Sequence, residues 1–173
     1  MLEGLAKIYR ALQNLKSGGV TDLIKITGAQ VGVSSAAYGT GDVLGTTSPI
    51  KIEPIRDVYG TGVLHSIIVQ DLSNQSGAID LVIFDSNPTA TTFTDNAALD
   101  IADADLPKVI GVISIVAGDY DTFADNAIAT VKGIGLPIKS IATTPNLWVC
   151  PVSRDTKTYV ANELSLAIGI LQD

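Results

Sequence analysis

The sequence predicts an all-β fold: an antiparallel β-sandwich of jelly-roll type with a short N-terminal α-helix. Three observations predict it. From Val20 onward, apolar residues recur at period two in short stretches rich in Val, Ile and Thr, the pattern of half-buried strands. Those stretches are separated by Gly, Pro, Asn and Asp, with no room for the crossover helices of a βαβ fold. The chain has 173 residues, 46% of them hydrophobic and 17% charged, which suits a single buried core and excludes a disordered chain.

Residues 1–16 read differently. Leu2, Leu5, Ile8, Tyr9, Leu12 and Leu15 recur at spacings of three and four, which puts them on one face of a helix. Ser17-Gly18-Gly19 is a plausible stop, because glycine accepts the left-handed conformation that ends helices. The division is therefore a helix and linker over 1–19 and a sandwich domain over 20–173. So short a helix is marginal alone in water and needs a surface, either its own domain or a neighbouring subunit.

Nine strands are expected after the linker. Segment 22–27 comes first. Ile50-Lys51-Ile52-Glu53 alternates apolar and charged residues. Segment 63–71 follows, then Ile79 to Phe84, in which Ile79, Leu81 and Ile83 share a face. Segments 108–116, 127–132, 135–140 and 147–153 come next, and Leu164, Leu166, Ile168 and Ile170 alternate at the end. No helix is expected after residue 20 beyond a turn near Asp95 to Leu106. Two strands are apolar on both faces: Val63, Ile67 and Val69 against Leu64 and Ile68, and Val109, Ile113 and Ile115 against Ile110, Val112 and Val116. A sandwich strand normally shows one face to water, so these call for a second cover: a loop, the helix or another subunit.

Weak repetition marks the turns. Tyr38-Gly39-Thr40-Gly41 and Tyr59-Gly60-Thr61-Gly62 read as Gly-rich turns entering strands. Phe93-Thr94-Asp95-Asn96-Ala97 and Phe123-Ala124-Asp125-Asn126-Ala127 read as Asx-type turns, each pinned to the core by its Phe.

Charge and composition exclude several functions. A net charge of −7 argues against a nucleic-acid partner, which needs clustered Lys and Arg. Helix 1–16 carries Lys7, Arg10 and Lys16 against Glu3, leaving 8 basic and 17 acidic residues for the rest. The apolar run from Val109 to Ala117 is too short to cross a bilayer as a helix, and the N-terminus has no signal-peptide stretch, so no membrane partner is expected. With 1 Cys and 1 His there is no internal disulfide and hardly a zinc framework.

No catalytic, cofactor or metal residues are assigned. His65 lies among Val63, Ile67 and Val69 and reads as a buried or partly buried structural histidine. Cys150, in Leu147-Trp148-Val149-Cys150-Pro151-Val152, reads as an inert core thiol, although a Cys150/His65 hydrolase pair is a formal third class. Gly39/Gly41 and Gly60/Gly62 are turns, because a phosphate loop must open a helix. Asp95, Asn96, Asp100, Asp103 and Asp105 offer hard oxygens but lack EF-hand spacing, and read as a solvated acidic loop before a calcium site. Trp148 and the tyrosines have core or interface roles before any sugar platform.

Several segments carry a resemblance. Ala37 to Gly45, Gly62 to Asp71, Ile79 to Ala97, Ala102 to Leu106, Lys108 to Ile113 and Leu166 to Asp173, in this order, resemble a family of tailed-bacteriophage virion structural proteins, the capsid decoration or cement proteins. The resemblance covers residues 25–173, and Phe84 to Asn96 is its most specific part; the helix at 1–16 lies outside it. It implies a β-sandwich or jelly roll, a homo-oligomer (commonly a trimer), the major capsid protein as partner and a place on the outer capsid of a virion assembled in the bacterial cytoplasm. It supplies no catalytic residues. The attachment or oligomer face expected here is Leu2, Leu5, Ile8, Leu12 and Leu15. The alternative is a carbohydrate- or receptor-binding sandwich of a tail fibre or capsid knob.

Overall fold

The period-two segments do fold as strands, and the order in which they pair defines the architecture. The computed structural model describes residues 20–45, 47–54, 60–139 and 146–172. The helix expected at 1–16, with Leu2, Leu5, Ile8, Leu12 and Leu15, lies outside the described residues.

The long strands are β1 (Val20–Ile26), β4 (Thr61–Asp71), β5 (Ile79–Phe84), β6 (Val109–Ile115), β8 (Ala127–Lys139), β9 (Leu147–Ser153) and β11 (Leu164–Gln172). Four short ones, β2 (Ala37–Tyr38), β3 (Ile50–Ile52), β7 (Tyr120–Thr122) and β10 (Lys157–Thr158), complete the set. Strand β1 pairs with β11, β3 with β9, β4 with β8 and β5 with β6, all antiparallel. First thus meets last, as in one long hairpin with its tip between β5 and β6. Rolling up that ribbon adds the pairs β11–β4 and β5–β9. The outcome is a five-stranded sheet, β1-β11-β4-β8-β7, facing a four-stranded sheet, β3-β9-β5-β6, with β2 and β10 as a small ladder. This is a jelly roll, as the sequence predicts.

The main core fills the space between the sheets. Leu64, Ile67 and Val69 of β4, with Leu164, Leu166, Ile168 and Ile170 of β11, meet Ile79, Leu81 and Ile83 of β5 and Leu147 and Val149 of β9. Pro151 sits within β9 beyond the reach of β3, which pairs only with Leu147 to Val149. The neighbouring segment there asks nothing of the Pro151 nitrogen: Leu44 donates to the Pro151 oxygen and Gly41 to the Ser153 oxygen, while the Ser153 N–H donates to the Asp42 oxygen.

Several expectations are corrected. Segments 127–132 and 135–140 are one strand, β8. Gly133 and Gly135 have φ of 71° and 70°, a kink that resembles a turn in sequence. Ser66 pairs with Lys132 and Leu64 with Leu136, so the three residues 133–135 face His65 alone across a double irregularity. The same bulge interrupts the pairing of β4 with β11. It reverses the phase of β4, so Leu64 joins Ile67 and Val69 inside and His65 is exposed rather than buried.

A one-turn helix, α1 (Gly28–Val31), follows β1 although none was expected. Gln30 makes it locally: its Oε1 accepts from both the backbone N–H and the hydroxyl of Thr27. Gly32 at φ 74° ends it. The region Asp95 to Leu106 is a turn-rich loop that closes in a 3-10 turn at Leu106–Lys108.

The two-faced strands are not the ones expected. On β6, Ile113 and Ile115 are buried but Val112 is 51% exposed, and Val116 just beyond is 52% exposed. Strand β5 is instead buried at every residue, and β9 at every residue but Trp148. Their outer faces form a second core of Val43, Val82, Phe84, Phe93, Cys150 and Val152, with Leu99, Ile101, Val109 and Trp148 packed around it. The cover is the loop 85–105. Asp80, the charged residue in β5, is buried by an ion pair with Arg154, Nε to Oδ2 2.6 Å.

Candidate functional site

Most of the chemistry-bearing residues hold loops. Asp105 is fully buried and is the clasp of the covering loop. Its Oδ2 accepts from the Ala90 N–H (2.9 Å), the Thr91 N–H (2.6 Å) and the Thr91 hydroxyl (2.7 Å). Its Oδ1 accepts from Lys108 Nζ at 2.7 Å. Burial opposes ionisation, but the Lys108 ammonium and the three other donors outweigh it and hold the carboxyl at about 2. Asp95 ties the same loop to the neighbouring segment: its Oδ1 accepts from the Tyr38 hydroxyl (2.7 Å) and the Gly45 N–H (2.8 Å). Gly45 has φ 84°, and a Cβ there would lie 2.2 Å from the Val31 oxygen, so only glycine fits this crossing.

The acidic run is therefore divided. Asp95 and Asp105 build the loop, while Asn96, Asp100 and Asp103 face solvent. Among the described residues no group of three or more His, Cys, Asp or Glu is arranged to hold a metal ion.

Phe93 is buried and meets Phe84 edge-to-face, ring centroids 6.3 Å apart. Its counterpart Phe123 is 55% exposed, so only one of the two Asx-type turns is pinned by its aromatic ring. Cys150 lies beneath the same loop, fully buried. Burial alone pushes its thiol up to about 12, which leaves almost no thiolate at neutral pH. His65 stands exposed on the other sheet, so the structure does not bring the two together. The Gly39–Gly41 turn is closed by Asp42, whose Oδ2 accepts from the Gly39 N–H at 2.6 Å. Gly62 lies inside β4. Trp148 is partly buried on the rim of the second core.

At the end of the sandwich reached by β4, Asp71 closes another loop, accepting from the N–H groups of Ser73, Gln75 and Ser76. Burial first, then neighbouring tyrosine and aspartate groups, keeps the Tyr120 and Tyr159 hydroxyls above the ordinary tyrosine range.

What remains is surface. A groove of about 460 Å³ runs over the outer face of the five-stranded sheet, lined by Leu23, Lys25, Ile68, Gln70, Ser165 and Ala167 among others. Leu72, Phe123 and Val160 expose apolar side chains at the Asp71 end. Glu163 links two of these loops, with its backbone oxygen accepting from Leu72 and its carboxylate from Val160. Strand β6 exposes Val112. Sequence periodicity located β6 but not the exposure of Val112, which depends on where the covering loop stops.

No protein-family model matches the chain, and no curated protein matches it. Among solved structures, the tomato aspermy virus structure aligns over 90% of this chain and 77% of its own, at 11% identity and a TM-score of 0.38. Desmodium yellow mottle tymovirus aligns over 90% and 81%, at 13% identity and 0.32. The K1 cleaved adhesin domain of Lys-gingipain from Porphyromonas gingivalis W83 aligns over 91% and 94%, at 10% identity and 0.35. These superpositions are too loose to carry a functional argument.

Proposed function

We propose that this chain is a structural protein of a virion, a capsid decoration (cement) protein of a tailed bacteriophage. In this reading it binds the outer capsid through the major capsid protein as a homo-oligomer, a trimer by the resemblance. The observation that carries the reading is the employment of the reactive groups. Asp95, Asp105 and Asp71 are spent on fastening loops, and Cys150 is sealed in a second core. These three carboxylates and the thiol serve stiffness, and the outer surface that remains is partly apolar. The segment that fastens the second core, Phe84 to Asn96, is also the part that most resembles the phage family. Several copies attached together would turn weak individual contacts into firm binding. Leu2, Leu5, Ile8, Leu12 and Leu15 are the proposed attachment or oligomer face.

The test is incubation of the purified protein with capsids that lack it, followed by sedimentation and a heat challenge. Co-sedimentation with protected capsids is expected, and removal of residues 1–16 should lower occupancy. Free protein that ignores capsids but binds a glycan array would replace this reading with the carbohydrate-binding one.

A further inference from the structure

We infer that β6 is the edge at which a second copy of this chain adds, strand to strand. A free sheet edge is a row of unpaired backbone donors and acceptors, and proteins that must stay apart guard it with charge, proline or brevity. The other edges of this sandwich are guarded. Strand β1 carries Asp22 and Lys25. Strands β3 and β7 have three residues each and carry Lys51 and Asp121. The half of β8 that β7 does not reach carries Lys132, Pro137 and Lys139 behind the Gly133–Gly135 kink.

Strand β6 has none of these three devices, and its one register shift against β5 falls at its start, between Val109 and Gly111, leaving 111–115 regularly paired. It is Val-Ile-Gly-Val-Ile-Ser-Ile, seven residues with no charge and no proline. It is the terminal strand of its sheet, and no described strand pairs with its outer side. Its solvent face shows Val112 and Ser114, continued by Val116. Gly111 is packed by Leu136 of β8, which braces the strand from inside.

The occupant follows from charge as well as geometry. The chain carries −7, so two copies meeting at random surfaces bring acid against acid. An uncharged strand edge is a place where identical copies meet without that repulsion. The complement of a strand edge is another strand edge, and pairing extends the sheet by main-chain hydrogen bonds. Around a two-fold axis β6 meets β6 of the second copy, the pairing that brings no guarded edge into the contact. This inference concerns self-association alone and does not depend on the capsid reading.

The test is light scattering of the full chain after size exclusion, with the 18.0 kDa monomer as the reference mass. An oligomer is expected, with β6 amides protected from hydrogen exchange. Val112→Lys and Ser114→Lys place charge at exposed positions, so the fold should survive, as circular dichroism checks. The double variant should elute as monomer at the same concentration, at least tenfold weaker in association, with its β6 amides exchanging. A wild-type monomer at high micromolar concentration, or an oligomer that the double variant leaves intact, overturns the inference. Failure to bind capsids would sink the functional proposal and leave this one standing.

Discussion

Phe93→Ala should release the loop 85–105 without melting the jelly roll, and Cys150 provides the reporter. Phe93 is only 7% exposed, and its ring meets Phe84 at an interplanar angle of 85°. Truncating a buried Phe costs about 3–5 kcal/mol, of which about 0.5–1.5 kcal/mol reflects the aromatic pair. The lost contacts lie in the second core, outside the main one, so the change falls on opening of the loop. Each 1.4 kcal/mol is about tenfold in an equilibrium constant, so opening should rise by about a hundredfold to a few thousandfold. Cys150 is unreactive while the loop is closed, buried and with its thiol near 12. Labelling by a thiol reagent in native buffer therefore counts openings. The expected result is a labelling rate raised by at least a hundredfold, with weak dependence on urea, while the urea midpoint of the whole domain moves less. If labelling rises only as far as global unfolding rises, with the full urea dependence, the loop belongs to the same cooperative unit. The picture of a separately fastened cover would then be wrong.

Three further outcomes are expected. The Asp105 carboxyl is held near 2, below its unfolded value near 4, so its stabilising contribution is present above pH 4 and lost as pH falls toward 2; Asp105→Asn should lower the melting temperature at pH 7 and flatten the pH 4 to 2 limb of the stability curve. Gly45→Ala forces a Cβ to within 2.2 Å of the Val31 oxygen at φ 84° and should destabilise by more than about 1 kcal/mol in urea, whereas Gly118→Ala, with nothing within 4 Å, is the quiet control. His65→Ala, on an exposed bulge, should stay within about 0.5 kcal/mol of the parent in the same titration, and a larger loss would mean that the imidazole holds the bulge.

Strand interiors were legible because the physics there is local. A short aliphatic run bounded by turn residues needs only neighbours in sequence to be seen, so β5 and β9 are delimited to the residue and β11 nearly so. Strands β2, β7 and β10 have two or three residues, too few to display a period. The sequence around His65 misleads for a different reason. Val63, His65 and Ile67 are in phase on paper, but His65 is an extra residue that shifts the phase, and nothing in a single strand announces a bulge that exists only relative to its partners. The Gly-rich break in β8 has the sequence of a turn, because a kink and a turn ask the same of glycine. For the site residues, sequence identified the acidic run but not which carboxylates would turn inward. Asp105 is buried because Ala90 and Thr91 present N–H groups to it across 14 residues and more, a relation without a sequence period.

The position at which the cover stops explains why one face is sealed and another left open. Val82 of β5 stands directly opposite Val112 of β6 in the ladder. Val82 is 3% exposed beneath the loop, and Val112, one strand further out, is 51% exposed. The loop therefore seals the inner strands of the four-stranded sheet and leaves its edge bare. A polar or charged side chain at position 112 would be easily tolerated by the monomer, since surface substitutions of this kind change stability little. Valine there, in a seven-residue edge with no charged residue, is better suited to a strand that acquires a neighbour than to one that faces water throughout.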